Sequence, residues 1–231
     1  MNYSIIIPTF KEEKNIEKLI NEIDKELKKK KINYELIFVD DDSKDDSKKI
    51  FEKNKKKNTY FYLRKAKPRD LSKSVVYGFD KSKFDNLIVM DGDLQHSPKD
   101  IYKLIKKYEL NKCDIVIGSR KLTNAKEVNL NPLRFFLSKI LNMTFNFIFK
   151  KEFLDPMSGF FILKKKIYND IKNELVLFGY KILIDIILSH KEKLKIEEIF
   201  INFKERNKGF SKMRLRILYQ LILFILIKKI T

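Results

Sequence analysis

Apolar and polar residues along this chain follow two rhythms. Short β-branched or aromatic runs at Tyr3–Ile7, Tyr34–Val39, Thr59–Leu63, Asn86–Met90 and Asp114–Ser119 read as buried strands. Between them the apolar positions fall at helical spacing. Ile16, Leu19, Ile20, Ile23 and Leu27 form one stripe, and Ile101, Leu104, Ile105 and Tyr108 form another. Ser97 as N-cap, Pro98 at the first helical position and Asp100 in the first turn mark the start of the second helix. Strands alternating with helices predict an α/β fold, with a Rossmann-like, mostly parallel central sheet covered on both faces. A further strand is expected at Ile196–Phe203. Neither an internal repeat nor a Gly/Ser/Pro-rich linker divides the chain, so residues 1–212 are expected to form one domain.

The texture changes after about Lys121. Pro132–Phe149 is aromatic and aliphatic, flanked by Arg134, Lys139, Lys150 and Lys151, and is expected to form an interfacial helix. Residues 213–231 are similar, with Arg214, Arg216, Lys228 and Lys229 around Ile217–Ile227. As a helix that run would span roughly 16 Å, about half of a ~30 Å hydrocarbon core, so it cannot cross a bilayer alone. Both segments are expected to be helices lying on an anionic membrane surface, with a pair of core helices or a partner-binding surface as the alternative.

Charge extends this picture. The chain carries 50 Lys and Arg against 31 Asp and Glu, a net +19, which favours nucleic acid, acidic headgroups or a phosphorylated substrate as partners. A single cysteine, Cys113, precludes an internal disulfide and fits a reducing compartment. A strand pattern beginning at Tyr3 is expected to leave no room for a signal peptide.

The candidate chemistry gathers where strands end. Leu87–Met90 runs into Asp91-Gly92-Asp93-Leu94-Gln95-His96-Ser97-Pro98, which delivers two carboxylates spaced i, i+2 at the carboxyl end of a buried strand. α/β folds place ligands there, and hard oxygen donors suit Mg²⁺ or Mn²⁺ carrying a phosphate. Taken alone, the motif is as readily a solvated acidic turn. Four other segments end on the same expected sheet edge: Pro8–Glu13, Asp40–Ser47, Gly118-Ser119-Arg120 and Lys204–Lys212. A carboxylate of the second could accept hydrogen bonds from a base or sugar, and Arg120, Arg206 and Lys212 are donors suited to phosphates.

These residues resemble family 2 glycosyltransferases of the GT-A fold, and within them the dolichol-phosphate mannosyltransferases. The resemblance covers almost the whole chain. It rests on Pro8-Thr9-Phe10-Lys11-Glu12 with Asn15-Ile16, Val39-Asp40-Asp41 with Ser43 and Asp45, the Asp91–Pro98 loop and Gly118-Ser119-Arg120. Asp155-Pro156-Met157-Ser158-Gly159-Phe160-Phe161, Gly179–Leu183 and Arg206–Lys212 complete it. The resemblance implies that Pro8, Phe10, Glu12, Val39 and Asp41 line a nucleotide pocket. Asp91, Gly92 and Asp93 would meet the diphosphate and a Mg²⁺ or Mn²⁺ ion, with Asp93 and Gln95 as ligands beside Asp91. Arg120, Arg206 and Lys212 would hold phosphates. Two departures stand out. The stretch where the family often carries glycines reads Arg69-Asp70-Leu71-Ser72-Lys73-Ser74, and Phe10 replaces a common tyrosine.

A sugar leaving a nucleoside diphosphate needs its departing charge neutralised, a task for a metal on Asp93 with Arg206 and Lys212. Transfer to a hydroxyl also needs a general base, and no residue stands out as one: His96 lies in the acidic loop and His190 beside Lys191-Glu192-Lys193. A phosphate acceptor arrives already anionic, its second pKa lying near 6. The expectation is therefore inverting transfer of mannose from GDP-mannose to a polyprenyl phosphate such as dolichyl phosphate. It would occur at the cytoplasmic face of a membrane, with a membrane-anchoring subunit or a homo-oligomer as further partners. Glucose from UDP-glucose is the alternative within the class. A basic nucleic-acid-binding protein is the alternative outside it, but no recognition module is visible and the acidic loops would repel phosphates.

Overall fold

The computed structural model describes residues 1–120, 143, 154–177, 179 and 181–201. The chain runs β1 (Asn2–Thr9), α1 (Glu13–Lys29), β2 (Asn33–Asp40), α2 (Ser47–Asn54), β3 (Thr59–Leu63), α3 (Leu71–Lys81), β4 (Asn86–Val89), α4 (Pro98–Asn111) and β5 (Ile115–Arg120). It continues with β6 (Phe161–Lys164), α5 (Lys165–Ile171), α6 (Ile182–Ser189) and β7 (Ile196–Ile201). The expected interfacial segments 132–149 and 213–231 lie outside the described residues, Met143 apart. No helix among the described residues is long and apolar enough to cross a membrane.

The seven described strands form one sheet in the order β3-β2-β1-β4-β6-β5-β7. β1 pairs parallel with β2 and β4, β2 with β3, and β5 with β7. Of these strands β6 alone runs antiparallel, between β4 and β5. It is the strand that sequence periodicity misses. Four residues next to a motif carry no signal of direction, and antiparallel insertion becomes visible only once β4 and β5 stand far enough apart to receive it.

Both faces of the central strands are buried, which is why β1 and β2 read as unbroken apolar runs. Ile5 and Ile7 of β1 pack with the predicted stripes of α1 and α4, while Ile6 faces Val75 and Phe79 of α3 and Ile182, Ile186 and Ile187 of α6. Ser97 does occupy the α4 N-cap with Pro98 after it, although its hydroxyl makes no capping bond. The order in which strands are added reverses at β1, whose two neighbours are β2 and β4. Ligands in open α/β sheets bind in the crevice outside the carboxyl ends at such a point.

The core contains four phenols whose protons are held tightly. Tyr3 donates to Glu109 at 2.6 Å, Tyr168 to Asp80 at 2.7 Å, Tyr108 to Asn86 at 2.9 Å, and Tyr34 to Asp24. Burial first, and a nearby carboxylate next, raise all four above an ordinary tyrosine. Their native pKa values exceed the unfolded value near 10, so the stabilisation is complete below pH 10 and is lost as pH rises beyond it. Urea denaturation at steps from pH 9 to 12 is expected to show stability falling above 10. Phenolate absorbance of these four residues should appear only on unfolding.

Candidate functional site

The carboxyl edge of β1 and β2 forms a floor of carboxylates and the cations paired with them. The Ile6 carbonyl accepts the Met90 N–H at 3.0 Å, so the even positions of β1 face β4. Pro8, which has no N–H, thus falls where β4 has already ended. Asp40 turns the chain after β2, its carboxylate accepting the Ser43 N–H at 2.9 Å and the Ser43 hydroxyl. Asp41 is buried. Arg64 lies 2.7 Å from its Oδ1, and the Asp70 N–H donates to its Oδ2 at 2.7 Å. Burial raises the Asp41 carboxyl above an ordinary aspartate, more strongly than the Arg64 charge pulls it down. Asp42, at φ 60°, is ringed by Lys67, Lys44 and Arg69, and hydrogen bonds from Lys67 and Lys44 hold its carboxyl well below the usual range.

Phe10 stands over this floor with the Arg69 guanidinium 4.8 Å from its ring centre. Arg69 is itself fixed by the Asp41 and Asp42 carbonyls at 3.0 and 2.8 Å. Glu12 leads into α1 and accepts from Asn15. Val39 differs from the expectation of a pocket wall: its side chain is fully buried in the core with Ile6, Ile37 and Val75.

The loop after β4 packs beside the end of β1. A Cβ on Gly92 would lie 3.0 Å from Thr9 Cγ2 and 3.3 Å from the Pro8 carbonyl, so a side chain there would have to push the acidic loop and β1 slightly apart. Asp93 closes the turn, its Oδ1 accepting the Gln95 N–H at 3.1 Å. His96 is 2% exposed, lies flat against Phe160 and places Nε2 3.3 Å from Asp91 Oδ2. Gly159 packs so tightly on Asp91 that a Cβ there would fall 2.4 Å from its Oδ2.

Arg120, the last residue of β5, is the third side of the site. Its Nε and Nη2 grip Asp155 at 2.7 and 2.9 Å. Burial works against the Arg120 charge, but Asp155 more than offsets it and Asp91 adds to the pull, so the guanidinium is held above its ordinary range. Asp155 is in turn seated by the adjoining β-structure. Glu198 of β7 accepts from the Asp155 and Leu154 N–H groups at 3.3 and 3.1 Å, and the Ser158 hydroxyl donates to the Gly118 carbonyl at 2.6 Å.

The structure therefore brings together Pro8, Phe10, Glu12, Asp41, Asp91, Gly92, Asp93, Gln95 and Arg120 along one sheet edge. Arg206 and Lys212 lie outside the described residues. Sequence reasoning misses the partners that hold these groups: Arg64, Asp70, Asp155 as the counter-charge of Arg120, and Glu198. Asp155 opens the Asp-Pro-Met-Ser-Gly-Phe-Phe motif, but its pairing with a residue 35 positions away has no local signal.

Two carboxylates and the Gln95 amide supply hard oxygens, the donor type that Mg²⁺ or Mn²⁺ takes. No group of three His, Cys, Asp or Glu among the described residues converges on a metal position. That donor set fits a cation bound through one or two carboxylates and completed by substrate phosphates.

A sheet of this order with an acidic loop at its reversal point is the arrangement of the GT-A fold. The chain belongs to glycosyl transferase family 2, which matches residues 4–172. It is 36% identical over 222 residues to the dolichol-phosphate mannosyltransferase of Pyrococcus furiosus, covering 95% of this chain and spanning 61% of that relative's length. The dolichol-phosphate mannosyltransferase of Saccharomyces cerevisiae is 30% identical over 95% of this chain and 84% of its own. Among solved structures, glucosyl-3-phosphoglycerate synthase of Mycobacterium tuberculosis with Mn²⁺, UDP-glucose and phosphoglyceric acid has the same fold. It superposes with a TM-score of 0.75 at 16% identity, over 98% of this chain and 79% of that one.

Proposed function

We propose that this chain transfers mannose from GDP-mannose to a polyprenyl phosphate such as dolichyl phosphate, in one in-line displacement that inverts the anomeric carbon. The observation that carries the reading is the Asp91–His96 loop, held against β1 by Gly92 and against the 155–161 segment by Gly159. The names of the two relatives support the sugar and the acceptor class.

In this reading the Asp41 floor and the Phe10–Arg69 platform receive the nucleoside. Asp93, Gln95 and Asp91 would hold Mg²⁺ or Mn²⁺. Such a cation, when bound, supplies neutralisation of the charge developing on the departing diphosphate. Arg120, fixed by Asp155, keeps a positive charge at the β5 end of the same edge. Arg206 and Lys212 are assigned to the acceptor phosphate or the diphosphate on the resemblance alone.

The placement of the proton-accepting groups supports a phosphate acceptor. The chain has two histidines. His96 is buried against Phe160, and His190 lies beyond α6 among Lys191, Glu192 and Asp114, at the far edge of the sheet. Asp40, Asp41, Asp42 and Asp155 each serve a named structural partner. A phosphate attacks without losing a proton to any of them. Such an acceptor places the reaction at a membrane surface, here taken to be the cytoplasmic one, and the basic aromatic segments 132–149 and 213–231 are the part of the sequence suited to meet it.

The test is incubation of purified protein with polyprenyl phosphate, Mn²⁺ and radiolabelled GDP-mannose, UDP-glucose or UDP-N-acetylglucosamine in turn. A lipid-linked mannose that vanishes on chelation is the expected result. Lipid-linked glucose would reassign the donor, and no lipid product from any donor would overturn the reading.

A further inference from the structure

Asp70 occupies a place that neither the predicted site nor the mechanism uses. It lies in the stretch where the family's glycines are replaced, at the N-cap of α3. Its backbone N–H donates to Asp41 Oδ2 at 2.7 Å, on the nucleotide floor. Its carboxylate faces the other way. Oδ2 accepts the Gly179 N–H at 2.6 Å, and Oδ1 accepts the Lys73 N–H at 3.2 Å as the helix cap. Ser72 doubles the link, its N–H and hydroxyl both donating to the Gly179 carbonyl at 3.0 and 2.7 Å.

Beyond Gly179 the chain is equally tied down. Lys181, the N-cap residue of α6, is 2% exposed and turns its charge toward the carboxylates of Asp70 and Asp185. Asp185 accepts the Val176 and Leu177 N–H groups at 2.8 and 2.9 Å, which ties those two residues to α6. Burial pushes the Asp70 carboxyl up and draws the Lys181 ammonium down to about 8, so both charges are kept at a cost in desolvation. Buried ionic groups of this kind contribute little net stability, but removing one partner strands the other. A glycine would satisfy the local backbone of an ordinary loop here with no such cost.

We propose that Asp70 is a positioning residue for nucleotide-sugar binding, bracing Asp41 from Gly179, with Lys181 as the counter-charge that keeps the brace in register. The Asp41 carboxylate cannot shift without drawing the Asp70 amide, and the Asp70 carboxylate is anchored to Gly179. Asp70 itself touches no nucleotide in this arrangement. It sets the position of the group that does, so donor affinity depends on a contact 109 residues away in sequence. The inference rests on the reading of this edge as a nucleotide-sugar site.

The experiment is titration of GDP and UDP, each with Mn²⁺, into wild type, Asp70→Asn, Lys181→Met and Lys181→Arg, with melting temperatures and donor KM and kcat alongside. Asp70→Asn keeps the volume but cannot both accept from Gly179 and face Lys181 as an anion. It is expected to weaken nucleotide affinity and raise donor KM roughly tenfold while kcat changes less than about threefold. Lys181→Met should reproduce the donor defect and Lys181→Arg should relieve it, because only the charge is needed. Should Asp70→Asn fail to fold, the two Lys181 variants decide the question. Unchanged nucleotide affinity in folded Asp70→Asn or Lys181→Met, with lower melting temperature only, would reduce the brace to a structural contact and overturn the proposal. If wild type binds neither nucleotide, the reading of the site falls and the brace falls with it.

Discussion

Replacing Asp93 by alanine is expected to lower turnover by roughly a hundredfold to a thousandfold while leaving the protein folded, the scale seen when one electrostatic partner of a developing charge is removed. Asp93 sits at the end of a buried strand, in a loop held from both sides by Gly92 and Gly159, so its carboxylate has little freedom to be replaced by a neighbour. Its structural share is small. The Oδ1 acceptor for the Gln95 N–H is one hydrogen bond, worth about 1 kcal/mol net. Asp93→Asn separates the two roles, because the amide oxygen can still close the turn but brings no charge. Turnover lost in both variants, with melting temperatures near wild type, identifies the charge as what matters. An active Asp93→Asn would make the residue a shaper of the loop. An active Asp93→Ala would mean that the cation-holding site has been put in the wrong place.

What can be read from the sequence follows the range of the interactions involved. The stripes Ile16–Leu27 and Ile101–Tyr108 are α1 and α4 with every predicted position buried, because helical periodicity is a local signal. The strand ends that carry Pro8, Asp41, Asp91 and Arg120 are also legible, since a run of apolar residues breaking into charge marks the sheet edge wherever it occurs. β6 is not, because pairing direction is decided by two strands distant in sequence. The same holds for the site. The residues facing the crevice announce themselves by type and motif, whereas those that hold them in place do so through contacts such as Arg120 to Asp155 and Asp70 to Gly179. Val39 shows the converse error. Asp41 lies just past the end of β2, at the sheet edge, whereas Val39 is still inside the strand, where both faces are covered and its side chain is buried in the core.

Asp155→Ala should produce the largest loss of stability of any substitution at this edge. Asp155 is fully buried and both its oxygens are gripped by Arg120, whose side chain is 21% exposed. Removing the carboxylate strands a buried cation, a change that costs about 3–5 kcal/mol in well-buried pairs. Because Arg120 can partly reach water, about 3 kcal/mol is expected here, a large fraction of a typical domain's 5–15 kcal/mol. Urea denaturation reads it directly. Asp155→Asn retains the shape and one good acceptor and should lose less. The decisive comparison is Asp155→Ala combined with Arg120→Met. If the loss comes from a stranded charge, the double variant recovers much of the stability that Asp155→Ala gave up, so the two changes are strongly non-additive. Simple additivity would show that Asp155 is held by its backbone and Glu198 rather than by Arg120. Activity should not follow stability back. Freed from Asp155, Arg120 is still drawn by the charge of Asp91, so Asp155→Ala is expected to lose roughly tenfold or more in turnover. The double variant, with no cation at the end of β5, should remain as impaired while folding well.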